Sequence, residues 1–341
     1  MWRLVGQERA VALLRRGLEK GNIAHAYLIT GAAHSGKMTL ALELAQALNC
    51  PQDEPPCGEC NSCRKIDQGK HADVQVVCLA ADKESDNNHK EIGIEQVRQM
   101  QHAANLPPFE GRHKVFIIDD AELLSIEAAN CLLKTLEEPQ SKVVFVLLAG
   151  EGNAIPETVA SRCQQIRLMP MAAADIEAAL IERWGVEPGK AMLLSRLCRG
   201  RIGWALTAVE NQELLEAHCQ ARQGIADLLF AGGEERFTYA AQMALRFGQQ
   251  RSAVQDELSL WLELWRDMML VKAGLGEAII NIDIQQELSR LAECFSLAEI
   301  RKFIDVVRQT VDRLRANANP RLALEVMLLD MPAGKREGVA G

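Results

Sequence analysis

Residues 26–45 read AYLITGAAHSGKMTLALELA, and this stretch contains three successive elements. The short apolar run 26–30 predicts a buried strand, and the residues after Lys37 have the apolar periodicity of a helix. Between them lies the glycine loop 31–37. A strand, a glycine loop and a helix in this order form the phosphate-binding pattern GxxxxGK, because backbone N–H groups at a helix N-terminus cradle phosphate oxygens. The stretch therefore predicts a phosphate-loop domain.

The loop carries most of a nucleotide-binding motif. Gly31 and Gly36 allow close approach of the backbone to a phosphate, and Lys37 would reach the terminal phosphates. Met38 stands where Ser or Thr would hold a magnesium ion, and a thioether is a poor ligand for this hard cation. Thr39 is one residue late, about 100° around the helix, so it does not simply replace the missing hydroxyl. We expect that ATP or ADP can bind, but that magnesium coordination and hydrolysis are impaired.

A second apolar run, 114–118, ends in two acidic residues, Asp119 and Asp120. An acidic residue at the end of a parallel strand is placed to hold magnesium or to orient water beside a phosphate loop. Asp119 is therefore the fifth candidate nucleotide-binding residue, after Gly31, Gly36, Lys37 and Thr39. Taken alone, the segment is also compatible with a solvated strand end.

Four of the ten cysteines lie within fourteen residues: Cys50, Cys57, Cys60 and Cys63. Prolines and glycine between them make tight turns, which let four thiolates grip one ion in the closed tetrahedral shell of a structural zinc site. Two alternatives stay open: an iron–sulfur cluster, because CxxCxxC overlaps the ferredoxin spacing, and four unrelated buried thiols. The six other cysteines are expected to be small core residues.

The composition restricts the class of protein. The chain has 341 residues, 38 Lys+Arg and 46 Asp+Glu, and a net charge of −8, which argues against a free-standing nucleic-acid binder with a basic face. Apolar runs are too short for a membrane helix, and the first residues lack the apolar core of a signal peptide. We therefore expect a cytoplasmic protein with reduced thiols and no disulfide framework.

The order of elements predicts an α/β fold followed by helices. Expected strands near 26–30, 73–79, 114–119, 143–148 and 164–168 alternate with helices, which implies a parallel sheet covered on both faces. The predicted domains are a nucleotide-binding-like domain at 1–168 with a zinc module at 50–63, a helical lid at 169–207, a helical domain at 211–331 and a disordered tail at 332–341. The polar stretch 82–91 is expected to be a surface loop, and His71 and His89 solvated.

Further stretches make a resemblance specific. They are Val5-Gly6-Gln7, His25-Ala26-Tyr27-Leu28, the run 129–139 (ANCLLKTLEEP), the run 155–163 (IPETVASRC) and, more weakly, 317–325 (NANPRLALE). Together with the cysteine insert after the phosphate-loop helix, they resemble the bacterial sliding-clamp loader family of AAA+ proteins. The resemblance implies an AAA+ phosphate-loop domain with a zinc module, a small helical lid domain and a C-terminal helical collar domain that oligomerises.

Within that family the departures from the motif favour one subunit type. The ATP-hydrolysing motor subunit, called gamma or tau, keeps the Walker A hydroxyl, a glutamate after the Walker B aspartate and a sensor arginine. This chain has Met38, Asp120 and Gly203 at those positions. The resemblance therefore implies a stator-like subunit of the DNA polymerase III clamp loader, without ATPase activity of its own. A motor subunit remains the first alternative, and a zinc-dependent interaction module on a degenerate ATPase scaffold the second.

The resemblance also implies a role for Arg162. In the family the arginine of the Ser-Arg-Cys motif points at the ATP of the neighbouring subunit, where a guanidinium stabilises charge on the transferring phosphoryl group. The implied partners are the motor subunits, the clamp-opening delta subunit and, through the complex, the sliding clamp and primed DNA. By the same analogy Arg98, on a helix expected at 92–105, would face the DNA.

Overall fold

The structure is a computed structural model that describes residues 2–79, 91–150 and 155–334. Most of the predicted loop 82–91, including His89, and most of the predicted tail lie outside the described residues. The chain forms two compact units. The first contains the described residues up to Gly185 together with Gly200–Trp204, and the second contains Val186–Arg199 and the described residues from Ala205 onward. The predicted division into three domains stays a prediction.

The first unit alternates strands and helices, as the sequence predicts. Its strands are β1 (Ala26–Thr30), β2 (Val74–Val77), β3 (Lys114–Ile118), β4 (Val143–Ala149) and β5 (Gln164–Arg167). Its helices are α1 (Glu8–Glu19), α2 (Lys37–Asn49), α3 (Asn61–Asp67), α4 (Ile94–Ala104), α5 (Ile126–Glu137), α6 (Glu157–Ala160) and α7 (Ala173–Trp184). Each predicted strand is present to within three residues at either end.

The strands form one parallel sheet in the order β2-β3-β4-β1-β5. The central strand β1 lies between β4, where Tyr27 is opposite Val146, and β5, where Thr30 is opposite Arg167. Parallel strands need crossover connections, and the helices between them supply these. The fold is therefore of the predicted α/β class. Because the strands are parallel, the carboxyl-terminal ends of β1 and β3 lie on the same side of the sheet.

The central strands are apolar throughout because both faces of the sheet are buried. Successive side chains of a strand point to opposite faces. In β4, Phe145 and Leu147 belong to one buried apolar cluster with α4 and α5, whereas Val146 and Leu148 belong to another with α1 and α2. The edge strands are less protected, and of β5 only Ile166 is buried. Helices on both faces thus hold the sheet that carries the phosphate loop.

The second unit is helical in the described residues. Its helices are α8 (Pro188–Leu197), α10 (Gln212–Leu228), α11 (Gly233–Gln249), α12 (Arg251–Lys272), α13 (Gln285–Glu293), α14 (Leu297–Arg315) and α15 (Pro320–Leu329); α9 (Ile202–Glu210) crosses the division between the units. Trp261 and Trp265 of α12 are fully buried and pack on Phe303 of α14, with ring centroids 5.9 and 4.5 Å apart. The aromatic residues at helical spacing are therefore the core of the helical unit.

Two further expectations concern the other six cysteines and membrane-spanning helices. Of the six cysteines outside the cluster only Cys198 is buried, and Cys78 is exposed, so the prediction that all six are core residues is wrong. Among the described residues, no helix has the length and apolar character needed to cross a membrane.

Candidate functional site

The phosphate loop follows β1 directly and ends in the first turn of α2. Gly36 has φ +96°, a left-handed conformation that only glycine adopts without strain, and α2 begins at Lys37. A Cβ atom at Gly36 would lie 2.5 Å from Cδ1 of Leu4. The side chain of Leu4 thus covers Gly36 closely, and a larger residue there would be strained by the positive φ and would displace Leu4.

The ammonium group of Lys37 is turned back onto the loop. Its Nζ donates hydrogen bonds to the carbonyl oxygens of Gly31 at 2.8 Å and Ala32 at 3.0 Å. Burial lowers the pKa of Lys37, and the negative charges of Glu122, Asp120 and Asp119 oppose that shift. Lys37 and the end of β3 therefore share one electrostatic environment, as the motif predicts.

The acidic end of β3 contains more carboxylates than the motif requires. Burial, followed by repulsion from Asp120, raises the pKa of Asp119, and the positive charge of Lys37 acts in the opposite direction. Asp120 has φ +48° and donates its backbone N–H to Oδ1 of Asp119. Two carboxylates side by side hinder each other's ionisation, which a cation at this edge would relieve.

Glu122 is a member of this site that the sequence reasoning missed. Its Oε1 accepts a hydrogen bond from the backbone N–H of Gly150, at the end of β4, at 2.9 Å. Its Oε2 is buried and has no hydrogen-bond partner among the described residues. The sequence signal was the acidic run Asp119-Asp120-Ala121-Glu122. In the structure Glu122 lies in a short 3-10 helix at Ala121–Leu123 and acts electrostatically on Lys37.

The hydroxyl that a magnesium ion requires is absent from its usual position. Met38 is half-buried and packs against the apolar cluster of α1 and α2, and Thr39 is exposed. The hydroxyl of Ser35 is buried and without a partner among the described residues. Met38 thus contributes to the apolar packing of the domain, and impaired magnesium coordination stays a prediction.

Gly203 contacts the phosphate loop through its backbone. The N–H of Gly203 donates to the carbonyl oxygen of His34 at 3.0 Å, and His34 itself has φ +60°. A Cβ atom at Gly203 would lie 2.7 Å from that oxygen. Because Cβ atoms essentially never approach so closely, no arginine could stand at position 203 while the backbone keeps this contact.

Arg162 lies at the amino-terminal end of β5, whereas the phosphate loop of the same chain lies at the carboxyl-terminal end of the parallel strand β1. It follows α6 and precedes β5, whose last residue is level with Thr30 of β1. Along the strand direction, Arg162 and the start of the phosphate loop are therefore separated by the length of β5, which is four residues or about 13 Å. Its guanidinium donates to the carbonyl oxygen of Thr158 at 2.8 Å and to Oε1 of Glu137 at 2.6 Å.

The four clustered cysteines converge as predicted. Their Sγ atoms all lie within 4.8 Å of one another, with Cys57 to Cys63 at 3.9 Å and Cys50 to Cys60 at 4.0 Å. Four sulfurs bound to one ion at the zinc–thiolate distance would be about 3.8 Å apart. The donor set and spacing therefore fit one tetrahedral ion, whereas a cluster of several iron and sulfide atoms between the thiolates would spread them further.

Local structure prepares the cluster for this role. Cys60 is the N-cap of α3, and its Sγ accepts the backbone N–H of Cys63. Backbone N–H donors from Cys60 and Glu59 lower the pKa of Cys57 to about 6, while burial raises the pKa of Cys63 to about 12 and that of Cys50. Buried thiols ionise when a cation compensates their charge, so metal binding would release protons here.

His71 is not solvated, and that expectation is wrong. The ring is buried; Nε2 lies 3.1 Å from Oγ of Ser62, and Nδ1 accepts the backbone N–H of Asp73. Asp73, also buried, accepts three backbone N–H groups from residues 109–111. His71 thus belongs to a polar network that joins α3, which follows the cysteine turns, to the loop before β3, and it lies outside the group of four convergent sulfurs.

A parallel sheet with a phosphate loop after its central strand and acidic residues at the end of β3 defines a phosphate-loop domain. A family model described as "DNA polymerase III, delta subunit" matches residues 6–172. The chain belongs to the family of DNA polymerase III clamp-loader subunits that includes delta-prime, tau and gamma.

Individual relatives differ in identity and in length. The chain is 27% identical to the DNA polymerase III subunit delta' of Bacillus subtilis over 96% of this chain and 97% of that protein. It is 35% identical to the subunit tau of Escherichia coli over 82% of this chain, but spans only 44% of that longer protein. A solved gamma-subunit-related protein from Thermotoga maritima is 21% identical, with a TM-score of 0.46 over 94% of this chain and 97% of that one. The fold class is therefore assigned from the strand order of the sheet and not from this similarity.

Proposed function

We propose that this chain is a delta-prime-type stator subunit of the DNA polymerase III clamp loader, and that it supplies Arg162 to the ATP site of a neighbouring motor subunit. The observation that carries the proposal is the position of Arg162. It lies before β5, at the end of the strands opposite the chain's own phosphate loop. An arginine in that place can act on a nucleotide only if the nucleotide is bound by another chain.

The state of the chain's own loop supports a stator rather than a motor. Met38 is half-buried against the apolar core, and a Cβ atom at Gly203, where the motor pattern has a sensor arginine, would lie 2.7 Å from the carbonyl oxygen of His34. The phosphate loop, Lys37 and Asp119 remain, so nucleotide can still bind. Without the hydroxyl and the arginine, however, the chain lacks groups that stabilise charge during hydrolysis.

In this role the chain acts within a hetero-oligomer. Motor subunits of the gamma or tau type and the delta subunit are its partners, and the complex uses ATP bound elsewhere to load the sliding clamp onto primed DNA. The acidic net charge of −8 fits a subunit whose main contacts are other proteins. Arg98, which is exposed on α4 and paired with Glu95 at 2.8 Å, would face the DNA in this complex.

We also propose that the four-cysteine cluster holds a structural zinc ion. Cys50, Cys57, Cys60 and Cys63 offer four thiolates in a closed shell with no position for substrate, as structural zinc sites do. The ion would stabilise the turns at 50–60, which have few apolar residues of their own.

One observation favours a motor subunit instead. Identity to the Escherichia coli tau subunit, 35%, exceeds the 27% shared with the Bacillus subtilis delta-prime subunit. Hydrolysis by the isolated chain separates the two functions. The stator proposal expects negligible ATPase activity; substantial activity that disappears in Lys37→Ala would establish the motor. Family membership argues against the remaining alternative, an interaction module outside replication.

The trans role of Arg162 has its own test. The clamp-loader complex is reconstituted with Arg162→Ala or with the exposed control Arg183→Ala, and assembly is checked by size-exclusion chromatography. We expect both variants to assemble, and ATP turnover to fall only with Arg162→Ala. Unchanged turnover in an assembled Arg162→Ala complex would remove the proposal.

A further inference from the structure

Arg162 is held within its own chain by a carboxylate that neither the motif nor the family resemblance assigns to it. Oε1 of Glu137 accepts a hydrogen bond from Nη2 of Arg162 at 2.6 Å, and the carbonyl oxygen of Thr158 accepts one from Nη1 at 2.8 Å. Glu137 is the last residue of α5, and Thr158 lies in α6. Two separate helices thus bind the two ends of one guanidinium.

This arrangement sets the orientation of the guanidinium plane. A guanidinium has five N–H donors in a rigid fork, and the two bonds use one donor on each terminal nitrogen. Three donors remain for an acceptor outside the described part of the chain. Because two acceptors at different positions bind the two terminal nitrogens, rotation about a single side-chain bond would break at least one of these hydrogen bonds. The remaining donors keep a defined direction.

The last turn of α5 is itself anchored. Gln101 of α4 donates from Nε2 to the carbonyl oxygen of Cys131 at 2.8 Å and to Oγ1 of Thr135 at 2.7 Å. Both acceptors lie in α5, so α4 holds this helix close to its C-terminal end. Glu137 therefore starts from a supported backbone rather than from a fraying helix end.

The pair contributes little to folding. The Arg162 side chain is 36% exposed and that of Glu137 50%, and exposed ion pairs stabilise proteins only weakly. A carboxylate at a helix C-terminus is also unfavourable with respect to the helix dipole. Stability alone therefore does not explain a glutamate at position 137. Its hydrogen bond to Arg162, the proposed trans arginine, does explain it.

We propose that Glu137 is a positioning residue that orders Arg162 for the neighbouring subunit's nucleotide. The inference rests on the proposed function of Arg162. An arginine side chain loses much rotamer freedom when it is ordered. Glu137 and Thr158 order it before the subunits meet, so that less of this loss falls on the transition state. Glu137 keeps one edge of the guanidinium while the other edge faces the phosphate.

The experiment uses the reconstituted clamp-loader complex and single substitutions in this chain. Glu137→Gln keeps an acceptor oxygen but removes the charge, and Glu138→Gln changes the neighbouring exposed glutamate as a matched control. We expect Glu137→Gln to lower kcat for ATP by about fivefold and to leave KM within about twofold. Glu138→Gln should leave both unchanged. Thermal unfolding of each isolated chain checks that the fold is kept.

A second background shows whether Glu137 acts through Arg162. In a chain that already carries Arg162→Ala, Glu137→Gln should cause no further loss, because the group it positions is gone. Unchanged or raised turnover with Glu137→Gln alone, or an additional loss in the Arg162→Ala background, would overturn the positioning role. If Arg162→Ala itself leaves turnover unchanged, the proposed function fails instead. If Arg162→Ala lowers turnover and Glu137→Gln does not, the trans role of Arg162 is supported and the positioning role of Glu137 is refuted.

Discussion

The backbone N–H of Gly203 and the carbonyl oxygen of His34 form a hydrogen bond of 3.0 Å between α9 and the phosphate loop. The bond requires glycine at 203, because a Cβ atom there would lie 2.7 Å from the same oxygen. In the motor pattern this position carries a sensor arginine. Position 203 of this chain carries no side chain, and its backbone N–H binds the phosphate loop instead.

Replacement of Gly203 tests the closeness of this contact. Gly203→Ala should lower the free energy of unfolding by about 1–3 kcal/mol, the usual cost of an overpacked site. The matched control is Gly224→Ala in α10, where an added Cβ meets no atom within 4 Å; it should stabilise by up to about 1 kcal/mol through helix propensity. Urea unfolding measures both. If Gly203→Ala were as stable as Gly224→Ala, the close approach would not exist in solution.

Magnesium dependence tests the consequence of Met38. The wild-type chain should bind ATP with equal affinity in magnesium and in excess chelator, because the loop lacks the hydroxyl that holds the ion. Met38→Thr should restore a magnesium effect on affinity, and Lys37→Ala should weaken binding in both conditions. Calorimetry on the isolated chain measures these affinities. A strong magnesium effect in the wild type would contradict this prediction and would mean that another oxygen holds the ion, such as the Ser35 hydroxyl, which has no partner among the described residues.

Metal analysis tests the cysteine cluster. The purified chain should contain about one zinc per molecule, as a shell of four thiolates binds a single ion, and Cys60→Ser should lose it. Cys78→Ser is the control, since Cys78 is exposed and outside the cluster. Chelation should lower the melting temperature of the wild type and leave that of the Cys60→Ser variant unchanged. Iron with visible absorbance would replace the zinc assignment with an iron–sulfur cluster.

The loop anchored by Asp73 should respond to pH. Burial alone would raise the pKa of Asp73, but the N–H groups of Phe109, Gly111 and Glu110 outweigh burial and hold it below the ordinary value. A lowered folded-state pKa gives stability that is present above about pH 4 and is lost as the pH falls through the folded pKa.

Asp73→Asn removes this dependence. It should cost about 1–3 kcal/mol at pH 7, where the charged acceptor is lost, and less at pH 3. Unfolding by urea at the two pH values measures the difference for wild type and variant. An equal cost at both values would show that the charge of Asp73 does not hold the loop.

Much of the first unit follows from local sequence. The apolar runs predicted each strand to within three residues, because buried parallel strands must be apolar on both faces. The convergence of four cysteines followed from short turns, which bring thiols together whatever the rest of the fold does. The phosphate loop and the acidic end of β3 followed from a motif whose parts are adjacent in sequence or lie at the same edge of a parallel sheet.

Other features depended on contacts between distant segments. His71 was expected in solvent but is buried, because Ser62 and the backbone of Asp73 satisfy both ring nitrogens. Glu122 was missed because its contact, the N–H of Gly150, comes from the residue after β4, 28 positions further along the chain. Neither partner can be identified from periodicity or spacing.

The sequence by itself determined the class of fold, the phosphate loop with its missing hydroxyl, and the four-thiol cluster. Each depends on residues that are neighbours in the chain or on a repeating apolar pattern. Only the tertiary structure decided three relationships. The Gly203 backbone excludes a side chain at the phosphate loop, Arg162 lies at the end of the strands opposite that loop, and Glu137 binds the guanidinium of Arg162. These relationships arise where strand order and helix packing bring remote groups within hydrogen-bond distance.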